Sequence, residues 1–297
     1  MASPARAARR AITAAIDRTV RGDPAGLAAY RRGPGDPGLF GPDSVTWAVH
    51  ADLPAMLIGG VAALMLQSLH PLAMAGVAQH SNFRADPFGR LRRTAAFIAG
   101  TTFGATRLVD EQIARVQRVH ASVRGVAPDG RAYSADDPDL LTFVHACEAR
   151  CFLAAHLRYA PRALSVAEQD RYLAEYARVA ERLGARAVPD SLDAQRAYFA
   201  RIEPELAATP EALDAVAFLR RPPAGVPGGV AIGQRLVVAA AAELLPASAR
   251  TALGVDASAP RRVAARAGGH RLAALVRWAI GPSAVRALAA ERARRPH

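Results

Sequence analysis

The residues best suited to chemistry lie between positions 90 and 120. His120 stands on a run of Val109, Ile113, Val116, His120 and Val123, whose steps of three or four draw one stripe along a helix. A histidine on such an apolar stripe is either hydrogen-bonded within a core or ligates something. Upstream, Arg90 and Thr94 stand four apart and share one helical face, giving a fixed cation and a hydroxyl where apolar residues are expected. A neutral imidazole is what a haem iron needs on its proximal side. A guanidinium can neutralise a propionate or stabilise bound dioxygen, and a hydroxyl can donate to the same oxygen. The plainer readings are a satisfied core histidine, an Arg90 paired with Asp86, and a Thr94 packed on its own backbone.

Other candidates are weaker. His70 and His80 flank a proline-broken apolar segment and could line a pocket, but core or surface roles suit them better. His145, a backbone-bonding candidate, shares a helical stretch with Cys147, Cys151 and His156, yet this spacing spreads the groups round the axis and no C-x-x-C occurs, so a zinc site is not expected. No G-x-S-x-G, P-loop or dinucleotide fingerprint stands in a strand-turn-helix setting, and "GGVAIG" near residue 228 has no strand before it. Hydrolase and nucleotide-dependent classes drop out.

The elements that must position these residues read as helices. Of 297 residues 51% are hydrophobic but only 6% aromatic, with alanine prominent, a composition that favours helix over strand. A helix is expected over 4–20, and a Gly/Pro-rich loop from Gly22 to Asp43. Ser44 is a helix cap, and Pro54 suits the first turn of the next helix. Pro71 should kink or break the helix running from Leu64 to Gln79. Asp86 and Pro87 announce a helix over about Phe88 to Thr102, closed by Gly104. Thr106 or Asp110 opens the next, expected to run past Val123 and end at Gly125. After a turn-rich loop, Asp136 or Asp137 caps the helix carrying His145 and Glu148. Ser165 with Glu168 forms a capping box for a helix ending near Gly184. Pro189 then separates it from "SLDAQRAYFARIEPEL". A second Pro/Gly-rich stretch follows Arg221 through Gly229, then an Ala-rich helix to about Leu245 and a final one from Val263 or His270 to Arg295. No strand alternation and no repeat is evident.

Every one of the 38 basic residues is arginine, set against 26 acids for a net charge of +12. The arginines are scattered rather than patched and no basic-aromatic motif accompanies them, so nucleic acid is not an expected partner. Two cysteines and no secretory leader point to a reducing cytoplasm. Arg9 and Arg10 resemble a twin-arginine signal, but Asp17, Arg18 and Arg21 break the apolar run that should follow. The most apolar stretch, Ala55 to Leu66, is short of the roughly 20 residues that span a bilayer. No transmembrane segment is expected, and peripheral membrane contact stays open.

Four blocks, "AQHSNFRADPFGRLRRTAAFIAGTTFG", "RVHASVRG", "YSADDPDLLTFVHA" and "YLAEYARVAERLGA", follow one another with the gaps seen in the MpaB-type oxygenase and rubber-oxygenase (latex clearing protein) catalytic-domain family. The chain resembles that family over roughly residues 44–222. The resemblance implies an all-α, single large bundle-like domain enclosing a b-type haem, with His120 as proximal iron ligand, Arg90 and Thr94 as catalytic groups on the distal side, and Arg93 with them among the cofactor-binding residues. It further implies oxygenase chemistry with dioxygen on a small lipophilic substrate, such as an isoprenoid or alkene. Segment 1–43 would lead in, 44–222 would form the haem-binding core, and 223–297 would pack on it. One departure concerns Arg93, which stands where rubber-cleaving relatives carry a lysine able to take the sixth iron position. Arginine does not readily lose its proton, so it is a poor iron ligand and polyisoprene is not the expected substrate. The rival readings are a haem protein that does not oxygenate, peroxidase-like or sensory, and a haem-free helical ligand-binding protein.

Overall fold

In a computed structural model, which describes residues 4–21, 24–222 and 225–296, the chain is 72% helix and 2% strand, hence all-α. Of the two Gly/Pro-rich stretches, residues 22–23 and 223–224 lie outside the described residues. The helices in chain order are α1 (Pro4–Ile16), α2 (Val45–His50), α3 (Leu53–Gln67), α4 (Pro71–His80), α5 (Pro87–Phe103) and α6 (Thr106–His120). A hairpin, β1 (Arg124–Val126) and β2 (Ala132–Ser134), precedes α7 (Pro138–Tyr159), α8 (Val166–Leu183), α9 (Leu192–Ile202) and α10 (Pro210–Arg220). Then come α11 (Gly228–Ala242), α12 (Ala247–Ala252), α13 (Ala259–Ile280) and α14 (Ala284–Arg294).

Local chemistry accounts for most helix starts. Ser44 accepts from the Trp47 N–H to begin α2, and Asp137 accepts from Asp139 and Leu140 to begin α7. Ser165 and Glu168 form the full reciprocal capping box of α8. Pro71 divides the apolar run as expected: α3 and α4 are bent by 107° across the break. Four expectations fail. The stretch expected to be loop from Gly22 to Asp43 holds a 3-10 helix over Pro24–Arg31. α6 stops at His120 rather than running past Val123, because the Val123 N–H turns back to the His120 carbonyl and the chain enters β1. The loop expected to be all turn holds a two-stranded antiparallel ladder pairing Gly125 with Tyr133. The final helix is two, α13 and α14, separated at Gly281, whose φ of +67° is left-handed.

The chain forms two compact units. The first comprises Met1–Leu53, Asn82–Arg115 and Ala274–His297. Trp47 and Phe103 pack edge to face at 5.2 Å in its core, with Tyr30 and Ala289. Arg292, 1% exposed, donates to the carbonyls of Asp36, Tyr30 and Phe103 and so ties two distant stretches, the Tyr30–Asp36 segment and the end of α5, to α14. Asp36 in turn caps α6 from 70 residues away, accepting from the Thr106 N–H at 2.7 Å and its hydroxyl at 2.9 Å. Burial alone would raise the Asp36 carboxyl, but hydrogen bonds from Gly38 and Thr106 and the charge of Arg292 outweigh it and hold the carboxyl below its ordinary 3.8. A depressed carboxylate stabilises above its unfolded value and loses that contribution as pH falls through the folded one. Asp36→Ala is therefore expected to cost about 1 kcal/mol at neutral pH. Melting curves of variant and parent should converge toward acid.

The second unit comprises Pro54–Ser81 and Val116–Ala273. Its core joins Ile58, Met65 and Leu66 of α3 to Phe143, Ala146 and Ala155 of α7, with Val238 and Ala241 of α11. Gly59 permits the close approach of α3 to α7, since a Cβ there would lie 2.9 Å from the Cys151 carbonyl and 3.0 Å from the Phe152 ring. Gly59→Ala is expected to lower stability by about 1–3 kcal/mol, read from the denaturant midpoint. α7, at 22 residues, is long and apolar enough to cross a membrane, and 72% of its most apolar window is buried inside the protein. The sequence reading missed this, because His145, Glu148, Arg150 and His156 interrupt the apolar run.

Candidate functional site

α5 starts where Asp86 accepts from the Gly89 N–H at 2.8 Å with Pro87 in the first turn, and this start fixes the phase of the helix. Arg90 is half-buried, its guanidinium carbon 6.0 Å from the centre of the Phe83 ring. Burial first, and the nearby Arg93 charge second, lower the Arg90 pKa, yet an arginine remains a cation. Thr94, one turn on, is exposed, and its hydroxyl makes no hydrogen bond among the described residues. It is not folded back on its own helix, as the plainer reading had it. Arg93 is exposed and pairs with Asp86 at 3.4 Å, the partner that reading gave to Arg90. These three side chains belong to the first unit.

His120 belongs to the second. It closes α6, is half-buried, and its ring has no hydrogen-bond partner among the described residues. Burial lowers its pKa below 6.5, against a smaller opposing pull from Asp136, so the imidazole is neutral at neutral pH. An accessible neutral imidazole with its nitrogens uncommitted is a competent metal ligand.

The remaining histidines separate by environment. His80 is exposed and bonds the Tyr133 hydroxyl at 3.1 Å, fastening the hairpin to α4. His70 is buried against the Phe143 ring, its Nδ1 without a partner. His145 makes no hydrogen bond to a backbone carbonyl among the described residues. Its ring instead lies 4.5 Å from that of Tyr176, and burial pushes its pKa down to about 3. Cys147 and Cys151 are buried free thiols whose pKa values burial raises. Among the described residues no three His, Cys, Asp or Glu side chains gather as a metal site.

Sequence reasoning passed over Glu148. It is the single acid in α7 beyond the first turn, and Tyr176 donates to its carboxylate at 3.1 Å. Burial pushes its pKa up to about 7, with the hydrogen bonds from Tyr176 and Gln67 opposing. A lone carboxylate in an apolar helix was the available signal.

Fold and residues together define an all-helical protein with a ligand-competent imidazole at one helix end and a cation-hydroxyl face on another helix. Residues 47–278 match the family model described as "ER-bound oxygenase mpaB/B'/Rubber oxygenase, catalytic domain", and the chain belongs to that family. The matched span includes Arg90, Arg93, Thr94 and His120. No curated protein and no solved structure matches the chain. Family membership places the protein with the oxygenases, and so among oxidoreductases that act on a substrate with dioxygen.

Proposed function

We propose that the protein is a haem b-dependent oxygenase acting on a small lipophilic substrate, with His120 as the iron ligand and Arg90 and Thr94 as donors toward oxygen. The observation that carries this reading is the state of His120: half-buried, neutral, and with no hydrogen bond made by its ring among the described residues. One such imidazole suffices for haem, because the porphyrin brings four nitrogens of its own, so the donor set fits the group without a three-residue cluster. Haem iron, when bound, supplies the redox chemistry with dioxygen.

The chain's own residues do the rest. His120 holds the cofactor. Arg90 carries a fixed positive charge on a partly desolvated face, where its attraction for developing negative charge is greater than in water. The Thr94 hydroxyl is uncommitted and can donate one hydrogen bond. Arg93, charged and tied to Asp86, would attract the carboxylates of the cofactor rather than ligate its iron.

The test is the pyridine haemochrome assay on protein purified after expression with adequate iron. Non-covalent b-type haem is expected, since no C-x-x-C-H attachment motif occurs. A colourless protein that gains no absorbance on adding haemin would overturn the reading. Dioxygen uptake that depends on an added alkene or isoprenoid separates an oxygenase from a haem protein of another kind.

A further inference from the structure

Within the second unit, the half-buried Glu148 carboxylate is desolvated at a cost that its structural role does not require. Its carboxylate accepts from the Tyr176 hydroxyl at 3.1 Å, and Gln67, whose Nε2 donates to the Val144 carbonyl at 3.0 Å, bonds it from α3. A glutamine would hold α7 to α8 through the same contacts without a charge to desolvate. Among the described residues no cation pairs with Glu148. His145, three residues back, is neutral and leaves the charge uncompensated.

The phenol on the other side of this hydrogen bond is equally distinctive. Tyr176 is 1% exposed and Tyr172 0%, and their rings stack at 5.8 Å with planes 19° apart. The rings of His145 at 4.5 Å and Phe152 at 6.3 Å also lie against Tyr176. Taking an electron from a phenol turns its hydroxyl into a strong acid, so the oxidation proceeds readily only where a base already holds the proton's destination. A second ring packed beside it and burial keep the product from water and from other radicals.

We propose that Tyr176 and Glu148 form a proton-coupled redox pair. A one-electron oxidant takes an electron from Tyr176 while its phenolic proton crosses the existing hydrogen bond to the Glu148 carboxylate. The products are a neutral tyrosyl radical stacked on Tyr172, a neutral Glu148 and the oxidant reduced by one electron. A one-electron reductant such as a thiol or ascorbate reverses the step, and the proton returns. In an oxygenase this pair would draw off an oxidising equivalent left without substrate, and only that source of oxidant rests on the function proposed above.

The base must be ionised to accept the proton, so yield should follow the charge of Glu148. Around that carboxyl stand Tyr172 and Tyr176 from α8, uncharged Gln67 from α3, and His145, Cys147 and Cys151 on its own helix, while Arg150 of the same helix lies over the Phe199 ring. The tyrosines and thiols have raised pKa values and His145 a lowered one, leaving Glu148 as the group that changes charge near neutrality. Radical yield should therefore climb from acid pH with the ionised fraction of Glu148, about tenfold per unit below its pKa, and level off above it.

The experiment is flash photolysis of the full chain with a ruthenium(III) polypyridyl oxidant, read by freeze-trapped electron paramagnetic resonance on protein carrying ring-deuterated tyrosine. A tyrosyl signal is expected that is lost in Tyr176→Phe, while Glu148→Gln lowers its yield and abolishes its pH dependence. If Tyr176→Phe does not fold, Glu148→Gln carries the test, since it preserves shape and hydrogen bonding. Wild-type yield and pH profile in Glu148→Gln, or an undiminished signal in folded Tyr176→Phe, would overturn the proposal. No haem is needed to form the radical. A haem-free protein that forms it would overturn the oxygenase reading alone, and a haem-loaded oxygenase without it would overturn this inference alone.

Discussion

His120→Ala is expected to give a folded, helical protein that no longer retains haem. The side chain is half-buried, and its ring makes no hydrogen bond among the described residues, so removing it strands no polar partner. The cost in stability should stay near 1 kcal/mol, the ordinary level for a substitution that breaks no network. On the proposed function the effect on the cofactor is of another order, because His120 would supply the protein's own bond to the iron. A core histidine would behave the other way round, with lowered stability and unchanged haem content. Haem per chain and the thermal midpoint, measured on the same samples, distinguish the two. Full occupancy with an unaltered axial-ligand spectrum would refute the assignment of His120.

Arg90→Ala and Thr94→Ala should leave haem content intact and slow the reaction with dioxygen. Removal of one preorganised donor typically costs about 10²–10³-fold in rate. Arg90 should show the larger loss, as its charge acts from a partly desolvated position, whereas Thr94 is exposed and contributes one neutral donor. Arg90→Lys should not restore the rate, because an ammonium lacks the planar fork and places its charge differently. Single-turnover rates with dioxygen in excess provide the measurement. A loss of haem in Arg90→Ala equal to that in His120→Ala would instead make Arg90 a cofactor anchor.

Local signals carried much of this architecture. Asp86-Pro87, Asp137-Pro138 and the Ser165/Glu168 box each start a helix from residues three or four apart, so sequence alone placed α5, α7 and α8. The hairpin escaped because three residues per strand are too few to show alternation, and its anchors, Gln79 and His80 on the Tyr133 hydroxyl, lie 53 or 54 residues away. The cap on α6 was invisible for the same reason, since Asp36 is remote from Thr106. At the candidate site, spacing put Arg90 and Thr94 on one helical face. Periodicity does not report accessibility, and so could not say that one is half-buried and the other exposed. Nor could it place Glu148 against Tyr176, a pairing that depends on how α7 meets α8.

The Arg292 guanidinium has a consequence for how the molecule is made. The ribosome delivers Tyr30, Asp36 and Phe103 well before Arg292, so the three carbonyls that Arg292 satisfies wait without their donor while the chain between is made. The second unit is complete once Ala273 has emerged, whereas the first needs the strand of chain that follows. Nascent protein should therefore acquire protease resistance in the second unit first, and in the first only once Arg292 has emerged, the reverse of the usual order in which amino-terminal domains settle before those behind them.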